Sequence, residues 1–162
     1  MSDKSLSPAY VAKIASLGGF LEGISFLNQD CCSNFAEAFS VEASDESEVL
    51  ADIQSRFTHL PELALKSDEG FQGGFRQLEQ DISSLLLVKP HVSHEQLAQD
   101  MRSYLSFKIM DRLDDIANFG EFMKPRRFVG IHGEIDGSMI FYLLRSPEIW
   151  LVLYFSSSVS NS

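Results

Sequence analysis

A chain of 162 residues with 44% hydrophobic content and 13 Phe holds enough apolar side chains for one ordinary buried core. That composition excludes a disordered or fibrous protein. Its 23 acidic against 13 basic residues give a formal charge of −10, a field that repels phosphate backbones and disfavours nucleic-acid binding.

The charge is uneven. Residues 1–81 hold 14 acidic and 5 basic side chains, a net of −9, whereas residues 82–162 hold 9 and 8, a net of −1. The opening MSDKSLSPAYVAK lacks the apolar region of a secretory signal. The longest apolar run, Ile149 to Phe155, is far shorter than the ~20 residues of a membrane helix. Cys31 and Cys32 are adjacent, and a bridge between them would brace no loop, so reduced thiols in a cytoplasm are the expectation.

Taken in chain order, Ser7-Pro8 reads as an N-cap followed by proline at the first helical position. The helix it opens carries Tyr10, Val11, Ile14 and Leu17, and continues through Gly18-Gly19 to Phe20, Leu21, Ile24 and Leu27. Residues 28–41, with Phe35, Ala36, Ala38 and Phe39, are predicted as a short second helix. Ser44 then caps a third, with acids in its first turn and Val49, Leu50, Ile53 and Phe57 at helical spacing.

Residues 67–70 read as a loop, and Gly73-Gly74 marks a helix entrance before Phe75, Leu78, Ile82 and Leu85. Ser93, with Gln96 at the capping-box position, opens a long helix whose apolar stripe is Leu97, Met101, Tyr104/Leu105, Ile109, Leu113 and Ile116. Its intervening charged residues, Asp100, Arg102, Lys108, Asp111, Arg112, Asp114 and Asp115, are assigned to a wet face.

After Gly120 the period changes. Runs 127–131, 138–144 and 149–155 are rich in β-branched and aromatic residues and read as a three-stranded antiparallel meander. The last two are apolar at almost every position, as in strands covered on both faces. The predicted class is therefore α+β, four or five helices packed on this C-terminal meander, in one domain over 1–155 with a flexible Ser-rich tail at 156–162.

Chemical motifs are sparse. In HGEIDG, His132, Glu134 and Asp136 would share one face if extended and could hold a metal or run acid/base catalysis. The two glycines, and Asp136-Gly137 above all, favour a hairpin turn that points those side chains apart. His132 and Glu134 also open a zinc deaminase signature, but no cysteine follows Cys32 to complete it. His91 and His94, with Cys31 and Cys32, lack the usual spacing of a structural zinc site. Either cysteine could be a nucleophile given a histidine in space, but small buried thiols are commoner. No metal or cofactor is expected.

Lys124-Pro125-Arg126-Arg127 is the single basic cluster; it could grip an anion, lie on a solvated loop, or pair with the acidic half of the chain. Glu42, Asp45, Glu46, Glu48 and Asp52 have no basic residue among them, and with Glu62, Asp68 and Glu69 they form the expected surface for a partner protein with a basic surface. The leading expectation is a non-catalytic binding module of the immunity, inhibitor or chaperone kind. An enzyme built on His132, Glu134 and Asp136, and a subunit that oligomerises through its C-terminal strands, are the alternatives.

Overall fold

The computed structural model describes residues 7–27, 35–57, 63–86, 95–116, 124–131, 137–146 and 149–158. Four helices, α1 (Pro8–Leu27), α2 (Glu46–Arg56), α3 (Phe75–Leu86) and α4 (Glu95–Ile116), alternate irregularly with five strands. The strands are β1 (Phe35–Val41), β2 (Ala64–Ser67), β3 (Arg126–Ile131), β4 (Gly137–Arg145) and β5 (Trp150–Ser158).

All five strands form one antiparallel sheet in the order β1-β5-β4-β3-β2. The expected meander is present as β3-β4-β5, and it is flanked by two strands from the first half of the chain. The fold is α+β.

Period-2 alternation divides the sheet between two cores. Ile140, Tyr142 and Leu144 of β4 and Leu151, Leu153 and Phe155 of β5 point to one face, where Leu17, Leu21 and Ile24 of α1, Leu78 and Ile82 of α3 and Ile109 and Leu113 of α4 cover them. Phe141, Leu143, Trp150, Val152 and Tyr154 point to the other, where Val49 and Ile53 of α2 close the layer. The second face is thus filled from within the chain. Phe141 and Tyr154, cross-strand partners, stack at 4.8 Å, and Phe57 meets both edge-on.

Residues 35–41, expected as helix, are strand β1. Ala36 and Ala38 feed the first core while Phe39 and Val41 feed the second. A strand buried on both sides shows no clean alternation, so helical and extended readings fit the same letters.

β1 is a sheet edge, and two of its outward groups are occupied. The Ala36 N–H donates to Ser25 Oγ at 2.8 Å, and Arg56 donates to the Ser40 carbonyl at 3.4 Å while its guanidinium lies 4.1 Å over the Phe39 ring. β2 has no counterpart among the expected elements; four residues with only Leu65 apolar at its centre carry too little pattern to detect.

The α1 entrance is as read, with the Tyr10 N–H donating to Ser7 Oγ at 3.3 Å, and the helix runs unbroken through Gly18-Gly19. The α2 cap lies one residue later than expected. Asp45 is the N-cap, its Oδ1 accepting from the Glu48 N–H at 3.0 Å, while Glu48 accepts from the Ser44 N–H at 2.8 Å.

β5 runs to Ser158, with Ser156 paired to Phe35 and Met139, so the ordered chain extends past the expected boundary at Phe155. Residues 159–162 lie outside the described ones. The β4–β5 turn is held by Ser146, whose Oγ donates to the Ile149 carbonyl at 2.9 Å and accepts from the Tyr10 hydroxyl at 3.1 Å.

Glycines give this fold a direct test. A Cβ at Gly19 or Gly23 meets nothing within 4 Å, whereas at Gly73, with φ +77°, it would stand 2.8 Å from Lys124 Cγ and 3.0 Å from the Pro125 carbonyl. Gly19→Ala and Gly23→Ala are each expected to raise stability by about 0.5–1 kcal/mol. Gly73→Ala is expected to lower it by about 1–3 kcal/mol. Urea denaturation midpoints check both signs.

Candidate partner-binding surface

The adjacent arginines of β3 point to opposite faces of the sheet and tie down a helix on each. Arg126 Nη1 lies 3.0 Å from Glu46 Oε1 in the first turn of α2. Arg127 Nη1 lies 2.9 Å from Asp81 Oδ2 of α3, and its Nε stands 3.2 Å from Asp68 Oδ2, within ion-pair range but off the line of a hydrogen bond. The Tyr142 hydroxyl donates to the same Asp81 oxygen at 3.1 Å.

Burial, before any charge, pushes the Tyr142 phenol far above its ordinary 10.0, with Asp81 adding to the rise and Arg127 opposing it. Tyr154 is raised by burial in the same direction. The basic run therefore pairs with the acidic half of the chain, one of the roles open to it.

These pairs use up much of the expected acidic surface. Asp45 and Glu48 cap α2, Glu46 holds Arg126, Asp52 holds Arg56 at 2.7 Å, and Asp68 holds Arg127. Glu42 and Glu69 are exposed, and Glu62 lies outside the described residues. Asp68 and Glu69 border a cleft of about 560 Å³ with Lys124, Arg126 and Arg127, in which opposite charges nearly balance.

His132, Glu134, Asp136, Cys31, Cys32, His91 and His94 all lie outside the described residues. The HGEIDG segment connects β3 to its antiparallel neighbour β4. Among the described residues, no group of three or more His, Cys, Asp or Glu could hold a metal, and no helix is long and apolar enough to cross a membrane.

The feature that sequence reading missed is the outer side of α4. Ile109, Leu113 and Ile116 are buried and Leu105 is partly so, as expected of the stripe, but Tyr104 is 60% exposed, Phe107 58% and Met101 43%. At about 100° per residue, Asp100, Tyr104, Phe107 and Asp111 follow one another along the side opposite Ile109 and Leu113. Asp114 and Asp115 continue that side and are exposed.

Lysine and arginine on α4 turn away from this face or lie flat on rings. Lys108 lies 5.5 Å from the Tyr104 centroid, and Arg112 stacks over Phe20 of α1 at 4.2 Å while donating to the Lys108 carbonyl. The wet face thus holds the aspartates and two aromatics, with the Lys108 ammonium over one of them. α2, which carries Glu46, Glu48 and Asp52 of the expected acids, lies across the sheet from it.

Two measurements probe the Arg127 cluster. Arg127→Met strands two partly buried carboxylates and is expected to cost about 2 kcal/mol. Arg126→Met removes a half-exposed pair and should cost under about 1 kcal/mol. Because the folded Tyr142 keeps its proton while the unfolded phenol loses it, stability is independent of this group below pH 10.0 and falls as pH rises above that value. Tyr142→Phe is expected to flatten that alkaline slope in denaturation curves taken from pH 9 to 11. No family model, curated protein or solved structure matches the chain.

Proposed function

We propose that this chain is a non-catalytic protein-binding module that occupies a partner with a basic surface, in the manner of an inhibitor or chaperone, and that it works in the cytoplasm. The observation that carries the reading is the exposure of Tyr104 at 60% and Phe107 at 58% on a helix face shared with Asp100, Asp111, Asp114 and Asp115, where, among the described residues, Lys108, over the Tyr104 ring, is the one cation. Leaving large aromatic side chains in water forgoes burial that the same helix achieves two residues past Phe107, at Ile109.

Such side chains are the usual anchors of protein interfaces, where a few aromatics supply most of the affinity. Aspartates around them favour lysine or arginine opposite and disfavour acidic competitors. The net charge of −10 extends the attraction beyond contact range and speeds encounter at low salt. Glu42 and Glu69 and the remaining acids of the first half contribute to that field, while α4 supplies the contact. The same field turns away nucleic acid.

The test is affinity capture of the tagged chain from its native lysate across a salt series. A basic protein retained at low salt and shed as salt rises is the expected result, with Tyr104→Ala and Phe107→Ala each reducing retention by roughly tenfold or more. Val11→Ala, at another exposed apolar position (51%), serves as the control and should leave capture intact. Capture unaffected by loss of both aromatics, or unaffected by salt, would contradict the proposal.

A further inference from the structure

The side of α4 that faces α3 carries a second feature, separate from the outer face. Between the two helices the surface opens into a hollow of about 430 Å³ lined by Gln80, Ser83, Ser84, Gln99, Arg102 and Ser103. Every lining side chain is polar and none is acidic, in a chain whose net charge is −10. An adjoining hollow of about 330 Å³ shares Gln80, Ser83 and Ser103 and adds Arg76, Glu79 and Ser106.

Arg102 is the odd member. Its residue is partly buried, its Nε, like those of Arg112 and Arg127, is closed to solvent and has no hydrogen-bond partner, and unlike theirs its guanidinium meets no carboxylate or ring among the described residues. The other described arginines near the core have occupations: Arg56, Arg126 and Arg127 hold carboxylates, and Arg112 and Arg145 lie over aromatic rings. A desolvated charged donor without a protein acceptor is suited to an anionic ligand that can accept from it.

We propose that this hollow binds a phosphate group, held by the Arg102 guanidinium with the Ser83 and Ser103 hydroxyls. The planar fork of arginine matches two phosphate oxygens at once. Hydroxyls from α3 on one wall and α4 on the other donate to the oxygens the fork leaves, and the Gln80 and Gln99 amides add donors at the rim. No carboxylate lines this hollow, and Glu79 at the adjoining one opposes the anion, so the arginine fork must outweigh it. The chain's acidic field lowers its affinity, so the hollow selects for a ligand that can use the bidentate contact.

Inorganic phosphate and glycerol 3-phosphate, titrated at constant ionic strength into the full-length protein, test this by calorimetry and by amide shifts at Ser83 and Ser103. Saturable binding with shifts at both serines is expected. Arg102→Gln should weaken it roughly 10- to 100-fold, the loss of one or two charge-assisted hydrogen bonds. Without anion, the same variant should melt no lower than the wild type, because it removes a stranded donor. Ser83→Ala/Ser103→Ala provides a second weakened variant that keeps the helices intact should Arg102→Gln fail to fold. Tighter binding of glycerol 3-phosphate would assign the site to a small phosphomonoester, and equal binding to phosphate itself. Absence of saturable shifts with either probe, or equal binding by wild type and both variants, would overturn the proposal.

Discussion

Strands β4 and β5 impose the constraint on which the rest of the molecule depends. Every side chain from Ile140 to Leu144 and from Ile149 to Phe155 is buried. A strand that is apolar on both faces needs cover on both. One helical layer would leave Phe141, Leu143, Val152 and Tyr154 in water, at about 1.5–3 kcal/mol for each side chain. α2 is therefore an essential second layer, and β1 and β3 flank the two apolar strands and keep them off the sheet edges. Arg126 and Arg127 then fasten the two sides through neighbouring residues of a single strand.

Much of this arrangement can be read from the chain itself. The Ser7-Pro8 entrance, the Gly73-Gly74 entrance, the buried stripe from Ile109 to Ile116 and the three C-terminal strands all follow from local signals that agree with the fold. Where tertiary context decides, reading fails in a physically specific way. β1 supplies both cores and so loses its alternation, and β2 owes its existence to pairing with β3 rather than to any pattern of its own.

The interaction surface was harder to read for a related reason. Apolar residue types at spacings of three and four placed Tyr104 in the buried stripe, whereas Leu105 is the neighbour that turns inward. Phe107 lies outside that pattern. The Asp100, Tyr104, Phe107, Asp111 series is visible once Ile109 and Leu113 are taken to mark the inner side. The acids at 42–52 looked like an open cluster because sequence does not reveal that Arg126 crosses to Glu46 or that Asp45 and Glu48 serve the start of α2. Local capping and long-range pairing consume charge that composition alone counts as available.

Function in this account rests on a division of labour within α4. Its inner side stabilises the sheet through Ile109 and Leu113, and its outer side is proposed to meet a partner through two aromatics that folding leaves exposed. Hydroxyl-radical footprinting of the chain, purified and then in its native lysate, tests that claim most directly. The account predicts rapid labelling of Met101, Tyr104 and Phe107 in the purified protein and protection of all three in the lysate, with Val11 and Ile131 labelled equally in both. Labelling at Tyr104 and Phe107 that is the same in both samples would contradict it.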